Sequence, residues 1–344
     1  MAQTFYESVA EAVHRGCSPN TLLMVQPASP YACIGYHQDL EKEIDTAYCR
    51  ERGMPVIRRS QGGGATILDR NQVFYQIVAA DSEVIPRDVE EMFRILLGVT
   101  AETYNRLGVP AQFKPLNDVV TNGKKISGNG AGLYKTVSIL VGNIILDLPY
   151  REMASILKVP DEKFRDKMAK NMREWVTNLR RELGEPPNPG RVKTVYTQVF
   201  SERLNVQLTP SKPTNLEWDI FNTETRPRHT SEEWLHMHDC RGFESIGRAV
   251  KIAGDFRIAE VDHKAGKLIR VRAELKGRQI VEVQITGDFF AIPKEAIEEL
   301  EKALKGERLA EENLRQKLKK VYRTTGVNTP GIEPEDLVEA LLKL

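Results

Sequence analysis

Val56-Ile57-Arg58-Arg59-Ser60-Gln61-Gly62-Gly63-Gly64-Ala65-Thr66-Ile67 is the stretch from which the rest of the chain is most readily read. An apolar lead-in runs into two arginines, three consecutive glycines and a second apolar run. Each glycine costs a helix or strand interior roughly 0.5–1 kcal/mol relative to alanine. A triplet kept beside Arg58 and Arg59 therefore points to backbone N–H groups held close to something negatively charged, a phosphate or an activated carboxylate. The plainer alternative is a glycine-rich loop between two strands with solvated arginines.

Outward from that stretch the periodicities alternate. Phe5, Val9, Ala10 and Val13 predict an amphipathic helix over 3–15, and the runs 22–25 and 32–36 read as strands. A helix is expected over 39–52, closed by Gly53, and Val73–Val78 reads as the return strand. Val89, Met92, Phe93, Leu96, Leu97, Thr100 and Tyr104 repeat at three and four within 87–107. Residues 117–128 read as a hairpin turning on Asn122-Gly123, and 137–146 as a further strand. Residues 150–184 are read as helical and basic, their charge as a solvated face, and 192–204 as another helix. The stretch 208–232, poor in apolar residues, is read as a linker. Beyond it, alternating strands at 249–253, 256–261, 268–275 and 281–285 precede helices at 294–305, 310–320 and 334–343.

With 344 residues the chain exceeds one comfortable core. The expected division is a catalytic domain over 1–210, a linker over 211–241 and a small α+β accessory domain over 242–344. A net charge of +1 gives no general argument for nucleic-acid or membrane binding. The four cysteines show no CxxC pairing, the N-terminus lacks the apolar core of a signal peptide, and no apolar run approaches a membrane span. A soluble, cytoplasmic protein is the expectation.

Three motifs in this order resemble the lipoate–protein ligase family, a branch of the biotin/lipoate ligase fold. Arg58-Arg59-Ser60-Gln61-Gly62-Gly63-Gly64-Ala65 is similar to its double-arginine, triple-glycine loop. Asn117-Asp118, followed by Gly123-Lys124-Lys125-Ile126-Ser127-Gly128, is similar to its Asn-Asp and lysine hairpin. Leu157-Lys158-Val159-Pro160 running to Val176-Thr177-Asn178-Leu179 is similar to the helical end of its catalytic domain, and Gly287-Asp288-Phe289-Phe290 to part of its accessory domain. The resemblance implies an α/β (α+β) catalytic domain of mixed sheets and packed helices.

The resemblance also implies a ligase that uses ATP and Mg²⁺ to activate lipoate, or octanoate, to an acyl-adenylate. The acyl group then passes to a lysine of a lipoyl carrier, such as a 2-oxoacid dehydrogenase E2 domain or a glycine-cleavage H-like protein. Bringing two anions together calls for cations and dipoles already in place. On this reading Lys125 is the catalytic lysine, bridging carboxylate and α-phosphate. Arg58, Arg59, Gly62, Gly63, Gly64, Ala65, Thr66 and Ile67 hold the nucleotide and lipoyl-AMP, together with Asn117, Asp118, Ser127 and Gly128. Asp118 is the residue expected to take Mg²⁺ through one carboxylate plus phosphates. Lys124 and Lys125 as a plain basic hairpin tip, and Asn117-Asp118 as simple turn formers, are the alternatives.

The sequence departs from the family at Gln61, at Leu68 before Asp69, and at Val141-Gly142-Asn143. These positions are read as pocket-lining, implying an altered substrate or acceptor preference. Ile34-Gly35-Tyr36-His37-Gln38 and Glu43-Ile44-Asp45 look like the related ATP-independent octanoyltransferases, which pass the acyl chain through a cysteine thioester. That route needs a reactive thiolate, and no cysteine lies between Cys49 and Cys240; Cys33 and Cys49 are expected to be buried. A third reading takes His236-Met237-His238-Asp239-Cys240 as a metal-binding cluster of a non-catalytic adaptor, though ligands so close in sequence cannot close a tetrahedral site alone.

Overall fold

The computed structural model describes residues 3–80, 84–159, 161–239, 250–253 and 255–344. Its strands are β1 (Thr21–Val25), β2 (Tyr31–Ile34), β3 (Val56–Arg58), β4 (Thr66–Leu68), β5 (Gln72–Ala79), β6 (Gln112–Lys114), β7 (Asp118–Thr121), β8 (Lys124–Tyr134), β9 (Val137–Ile145), β10 (Val250–Ala253), β11 (Phe256–Lys264), β12 (Leu268–Lys276) and β13 (Gln279–Gly287). The helices are α1 (Phe5–His14), α2 (Leu40–Glu43), α3 (Thr46–Glu51), α4 (Val89–Arg106), α5 (Tyr150–Ile156), α6 (Glu162–Trp175), α7 (Leu179–Leu183), α8 (Pro189–Leu204), α9 (Asn215–Ile220), α10 (Arg226–His229), α11 (Glu232–Leu235), α12 (Ala296–Leu304), α13 (Glu311–Thr325) and α14 (Pro334–Leu342). They fall into two units, the first made of Met1–Cys33, Ile44–Arg59 and Thr66–Leu235, the second of Ile34–Glu43, Ser60–Ala65 and His236–Leu344.

The first unit is built on a six-stranded antiparallel sheet in the order β1-β5-β9-β8-β7-β6. β5 and β9 are buried along their whole length because helices cover both faces. The two-residue period of β5 sends Val78 toward Phe5, Val9 and Val13 of α1. It sends Tyr75 the other way, to stack on Tyr196 of α8 with centroids 4.5 Å apart and to meet Thr100 of α4. α4 begins where the Asp88 side chain accepts the Glu91 N–H at 2.8 Å, and buries Met92, Phe93, Leu96, Leu97 and Tyr104. Each large apolar side chain so covered stabilises the fold by about 1.5–3 kcal/mol. A small sheet, β3-β2-β4, lies over Phe74, with Tyr31, Cys33, Ile57 and Leu68 in one cluster.

The second unit is an antiparallel meander, β10-β11-β12-β13, with helices packed on one face. Ile269, Val271, Ala273 and Leu275 alternate along β12 into a core shared with Leu300, Leu314, Leu318, Leu337 and Leu341. Off that core, Glu260 accepts from Lys42 at 2.8 Å and from Arg272 Nε at 2.9 Å, while Arg270 donates to Glu43 at 3.0 Å.

Three sequence expectations change. The helix expected over 39–52 is two short ones, interrupted where Ile44 makes an isolated bridge to Leu157 and Asp45 caps α3. The basic helix expected over 150–184 is three: the first break falls where Leu157 bridges to Ile44, the second where Val176 and Thr177 turn extended to pair with a strand. The segment expected to be a linker carries α9 to α11 instead, with the Trp218 and Phe221 rings packed at a tilt against Phe5, centroids 4.8 and 5.2 Å away. Residues 240–249, including Cys240 and the expected start of the accessory domain, lie outside the described residues. No helix among the described residues is long and apolar enough to cross a membrane.

Candidate active site

The lysine hairpin forms because Asn122 and Gly123 both take positive φ (+48° and +76°), the backbone a tight two-residue turn demands. The register then skips: Val120 pairs with Lys125 but Val119 with Ser127, leaving Ile126 as a bulge. A bulge re-aims neighbouring side chains. Lys125 accordingly remains about one-third exposed while Ser127 is fully buried. The bulge is held from beneath, where Tyr104 Oη donates to the Ile126 carbonyl at 2.6 Å and accepts the Ile145 N–H at 3.0 Å. Burial holds the Tyr104 phenol well above its ordinary pKa, so it remains a neutral donor.

Lys125 Nζ lies 2.6 Å from Asp118 Oδ1, and its carbonyl accepts the Thr177 N–H at 2.8 Å. Asp118 thus stands beside the Lys125 ammonium on the neighbouring strand. A carboxylate there can supply one oxygen to a cation that takes its other ligands from phosphates. Asn117 is committed to the fold: its side-chain amide donates to the Asn129 carbonyl at 2.7 Å, and Asn129 returns a bond to the Asn117 carbonyl at 3.0 Å.

Ser127 donates to the Asn143 carbonyl at 2.7 Å, and the Gly128 N–H donates to Asn143 Oδ1 at 2.8 Å. Asn143 Nδ2 donates to Gln72 Oε1 at 2.8 Å, and Gln72 Nε2 donates to the Ile67 carbonyl at 3.0 Å. A continuous buried chain therefore runs from the lysine hairpin to β4. Gly142 is required within it, since a Cβ would stand 2.2 Å from Asn129 Oδ1 and 2.4 Å from the Tyr75 ring. From sequence, Gln72, Tyr75 and Asn129 are not singled out as site residues, and Asn143 is reached only among the departures read as pocket-lining. The available signal was polar side chains inside otherwise apolar strand runs, which must find partners when buried.

The two arginines separate. Arg58 is fully buried, and its guanidinium donates to the Trp234 carbonyl at 3.0 Å and the Leu235 carbonyl at 2.7 Å, at the end of α11. Its own carbonyl receives His229 Nδ1 and Trp234 Nε1, each at 3.0 Å. The expectation that Arg58 meets the nucleotide is revised: its charge is used within the fold. Arg59 is only half-buried, with Nη1 3.7 Å from Cys33 Sγ. Ile67 donates its N–H to Met153 Sδ at 3.1 Å, a weak acceptor, and Thr66 Oγ1 lies 3.9 Å from the same sulfur.

Gly62, Gly63, Gly64 and Ala65 belong to the second unit. The Gly63 N–H donates to the Phe289 carbonyl at 3.0 Å, and Gly63 has φ +93°. A Cβ on Gly62 would lie 2.2 Å from that same oxygen, whereas one on Gly64 would meet nothing nearer than 3.8 Å. Close approach to protein backbone thus accounts for Gly62, and backbone conformation for Gly63. His37 stacks on Phe289 at 4.9 Å, and its carbonyl accepts the Gly287 N–H at 3.0 Å.

Of the departures, Leu68 packs with Tyr31 and Phe74, and Val141 with Phe5 and Val9. Both are core residues here, not pocket lining. The third reading gains one member: Glu41, His236 and Asp239 bring ligand atoms within 4.8 Å of one another, and Asp239 Oδ1 also accepts the Leu40 N–H at 3.0 Å.

Residues 1–201 match the family described as Lipoyl protein ligase A/B catalytic domain. The chain belongs to that family. Residues 256–341 match the Bacterial lipoate protein ligase C-terminus, so an enzyme of the lipoate ligase and octanoyltransferase family carries its accessory part in the same chain. Octanoyltransferase LipM of Kyrpidia tusciae is 26% identical over 250 residues, 66% of this chain and 91% of that protein. Lipoate-protein ligase LplJ of Bacillus subtilis is 26% identical over 278 residues, 80% of this chain and 78% of that protein. A solved bi-partite lipoate protein ligase from Thermoplasma acidophilum, described with its E2 lipoyl domain, matches with a TM-score of 0.61 at 26% identity, covering 71% of this chain and 94% of that one. The mixed α/β architecture of this ligase-family chain agrees with that expected from its motifs.

Proposed function

We propose that the chain is an ATP-dependent lipoate–protein ligase. In this reading a lipoate or octanoate carboxylate oxygen attacks the α-phosphate of ATP and pyrophosphate leaves. A lysine amine of a lipoyl carrier domain then attacks the acyl carbon and AMP leaves. The observation that carries the reading is Lys125, a partly exposed ammonium beside Asp118 on a bulged hairpin, in a segment with no cysteine between Cys49 and Cys240. An ammonium there offsets charge as carboxylate and phosphate meet. Arg59, the backbone of Gly62 to Ile67, Ser127 and Gly128 are assigned to the nucleotide and acyl-adenylate, and Asp118 to Mg²⁺ alongside phosphate oxygens. The thiols of Cys33 and Cys49 are buried and pushed up from their ordinary pKa chiefly by that burial, which opposes a thioester route.

The second reading is an ATP-independent octanoyltransferase, favoured by relatives that carry that name over most of their length. Isotope exchange between pyrophosphate and ATP separates the two. Lipoate-dependent exchange supports the ligase; no exchange, with acyl transfer from a carrier thioester, replaces it with the transferase. The carrier of the Thermoplasma system is an E2 lipoyl domain, and the same class of acceptor is proposed here.

A further inference from the structure

Helix α6 presents an exposed face that the chemistry above does not use. Phe164 is 52% and Trp175 69% exposed. Eleven positions apart, or about three turns, they share one stripe roughly 16 Å long, with Lys167 and Asn171 between them. Lys163, Lys167 and Lys170, all exposed, follow at helical spacing along one edge of that stripe, and Glu174 is an acidic residue beside it. Beyond the lysine row an open groove of 660 Å³ between α5 and α6 carries charge of both signs, with Arg151, Lys170 and Arg173 beside Glu152 and Asp166.

This face is fixed in position relative to the reactive lysine. Val176, next in sequence to Trp175, forms a parallel bridge with Lys125, and the Thr177 N–H donates to the Lys125 carbonyl at 2.8 Å. The Val176 carbonyl is clamped by Tyr150 Oη and Arg181 Nη1, each at 2.9 Å, and Arg181 also donates to the Arg173 carbonyl at 2.7 Å. An indole left in water on so firmly held a helix end, beside a row of lysines, has the composition of a binding anchor: aromatic groups supply the energy and cations the steering.

We propose that this face of α6 receives the acyl-acceptor protein through an acidic patch near its target lysine. The inference rests on the acyl-transfer reading of Lys125 and names the surface on which that reaction's second substrate sits. The acceptor fits better than nucleic acid because the face lies one residue from the strand pair that carries Lys125, where an acceptor amine has to arrive. Its basic row is only three lysines long, Glu174 falls next along the same edge, and the two aromatics, Phe164 and Trp175, form no repeating series with the cations.

The test uses the full chain and an isolated E2 lipoyl domain, comparing the wild type with Trp175→Ala and with a triple variant Lys163→Glu, Lys167→Glu, Lys170→Glu. KM for the lipoyl domain is expected to rise about tenfold or more in each variant. Lipoate-dependent pyrophosphate exchange should stay within about twofold, and the salt dependence of wild-type KM should shrink in the triple variant. An unchanged KM in both variants overturns the proposal. So does loss of nucleic-acid binding in the triple variant with KM unaltered, which would assign the face to a polyanion. If the wild type shows no exchange, the ligase reading fails separately. The same variants are then assayed for transfer from an acyl-carrier thioester to the same domain, where an unchanged KM again sinks the docking surface.

Discussion

Gly62 and Phe289 are in backbone contact: a Cβ at position 62 would stand 2.2 Å from the Phe289 carbonyl oxygen and 2.9 Å from the Phe290 Cα. The Gly63 N–H donates to that same oxygen at 3.0 Å. A loop that looks from sequence like bare backbone for a ligand is thus also a seat for the Phe289-Phe290 segment.

Gly62→Ala is therefore expected to destabilise the second unit by about 1–3 kcal/mol, because backbone and not a flexible side chain has to move. Gly64→Ala should be close to neutral, since its nearest neighbour is an Asp288 Cβ at 3.8 Å. Thermal unfolding of both variants checks this. Equal melting temperatures for the two would refute the backbone contact.

Lys125→Ala removes the ammonium paired with Asp118. Adenylation should fall roughly 10²-fold or more, about 2.7 kcal/mol in barrier, with folding little changed because the side chain is partly exposed. Lipoate-dependent pyrophosphate exchange is the measurement, and near-normal turnover would remove Lys125 from the mechanism.

The two arginines should behave differently. Arg58→Met leaves the Trp234 and Leu235 carbonyls without their charged donor and should cost on the order of 3 kcal/mol in denaturant unfolding. Arg59→Met should leave unfolding almost unchanged while weakening the apparent affinity for ATP. A stable Arg58 variant that binds ATP poorly would reverse the assignment.

Glu301 supplies a pH prediction. Burial raises its carboxyl from 4.5 to about 7, although it accepts the Ile285 N–H at 2.6 Å. A carboxyl whose folded pKa is raised stabilises fully below its unfolded value, and that contribution is lost as pH climbs through the folded one. Stability should decline between about pH 4.5 and 7 by an amount on the order of 3 kcal/mol. Glu301→Gln keeps an acceptor for Ile285 and removes the titration. Unfolding measured at pH 5 and pH 8 should show a smaller drop in the variant; identical drops would exclude Glu301 as the source.

Much of the local structure was legible because it rests on short-range rules. Asn122-Gly123 announces a turn wherever it sits, the spacing of Met92, Phe93, Leu96 and Leu97 produces one buried helix face, and alternation in β12 marks one covered face. The breaks in the expected long helix were partly signalled by Pro160, which disfavours helical backbone in the residue before it. The role of Val176 was not, because its partner is a strand fifty residues earlier. Nor could the segment read as a linker be recognised as packed structure, since Trp218 and Phe221 find their apolar partner in Phe5 at the other end of the chain.

By itself the sequence determined the family, the hairpin that carries Lys125, and the alternation of a sheet-and-helix accessory unit, all of which follow from residue order over a few turns or strands. Only the tertiary structure decided that Arg58 is spent on the fold, that Leu68 and Val141 are core residues, and that Asn143 and Gln72 tie the lysine hairpin to β4. Those outcomes depend on which buried polar and apolar groups meet across long stretches of chain. The free energy of such meetings belongs to pairs of residues brought together by folding, and no window of neighbouring residues contains it.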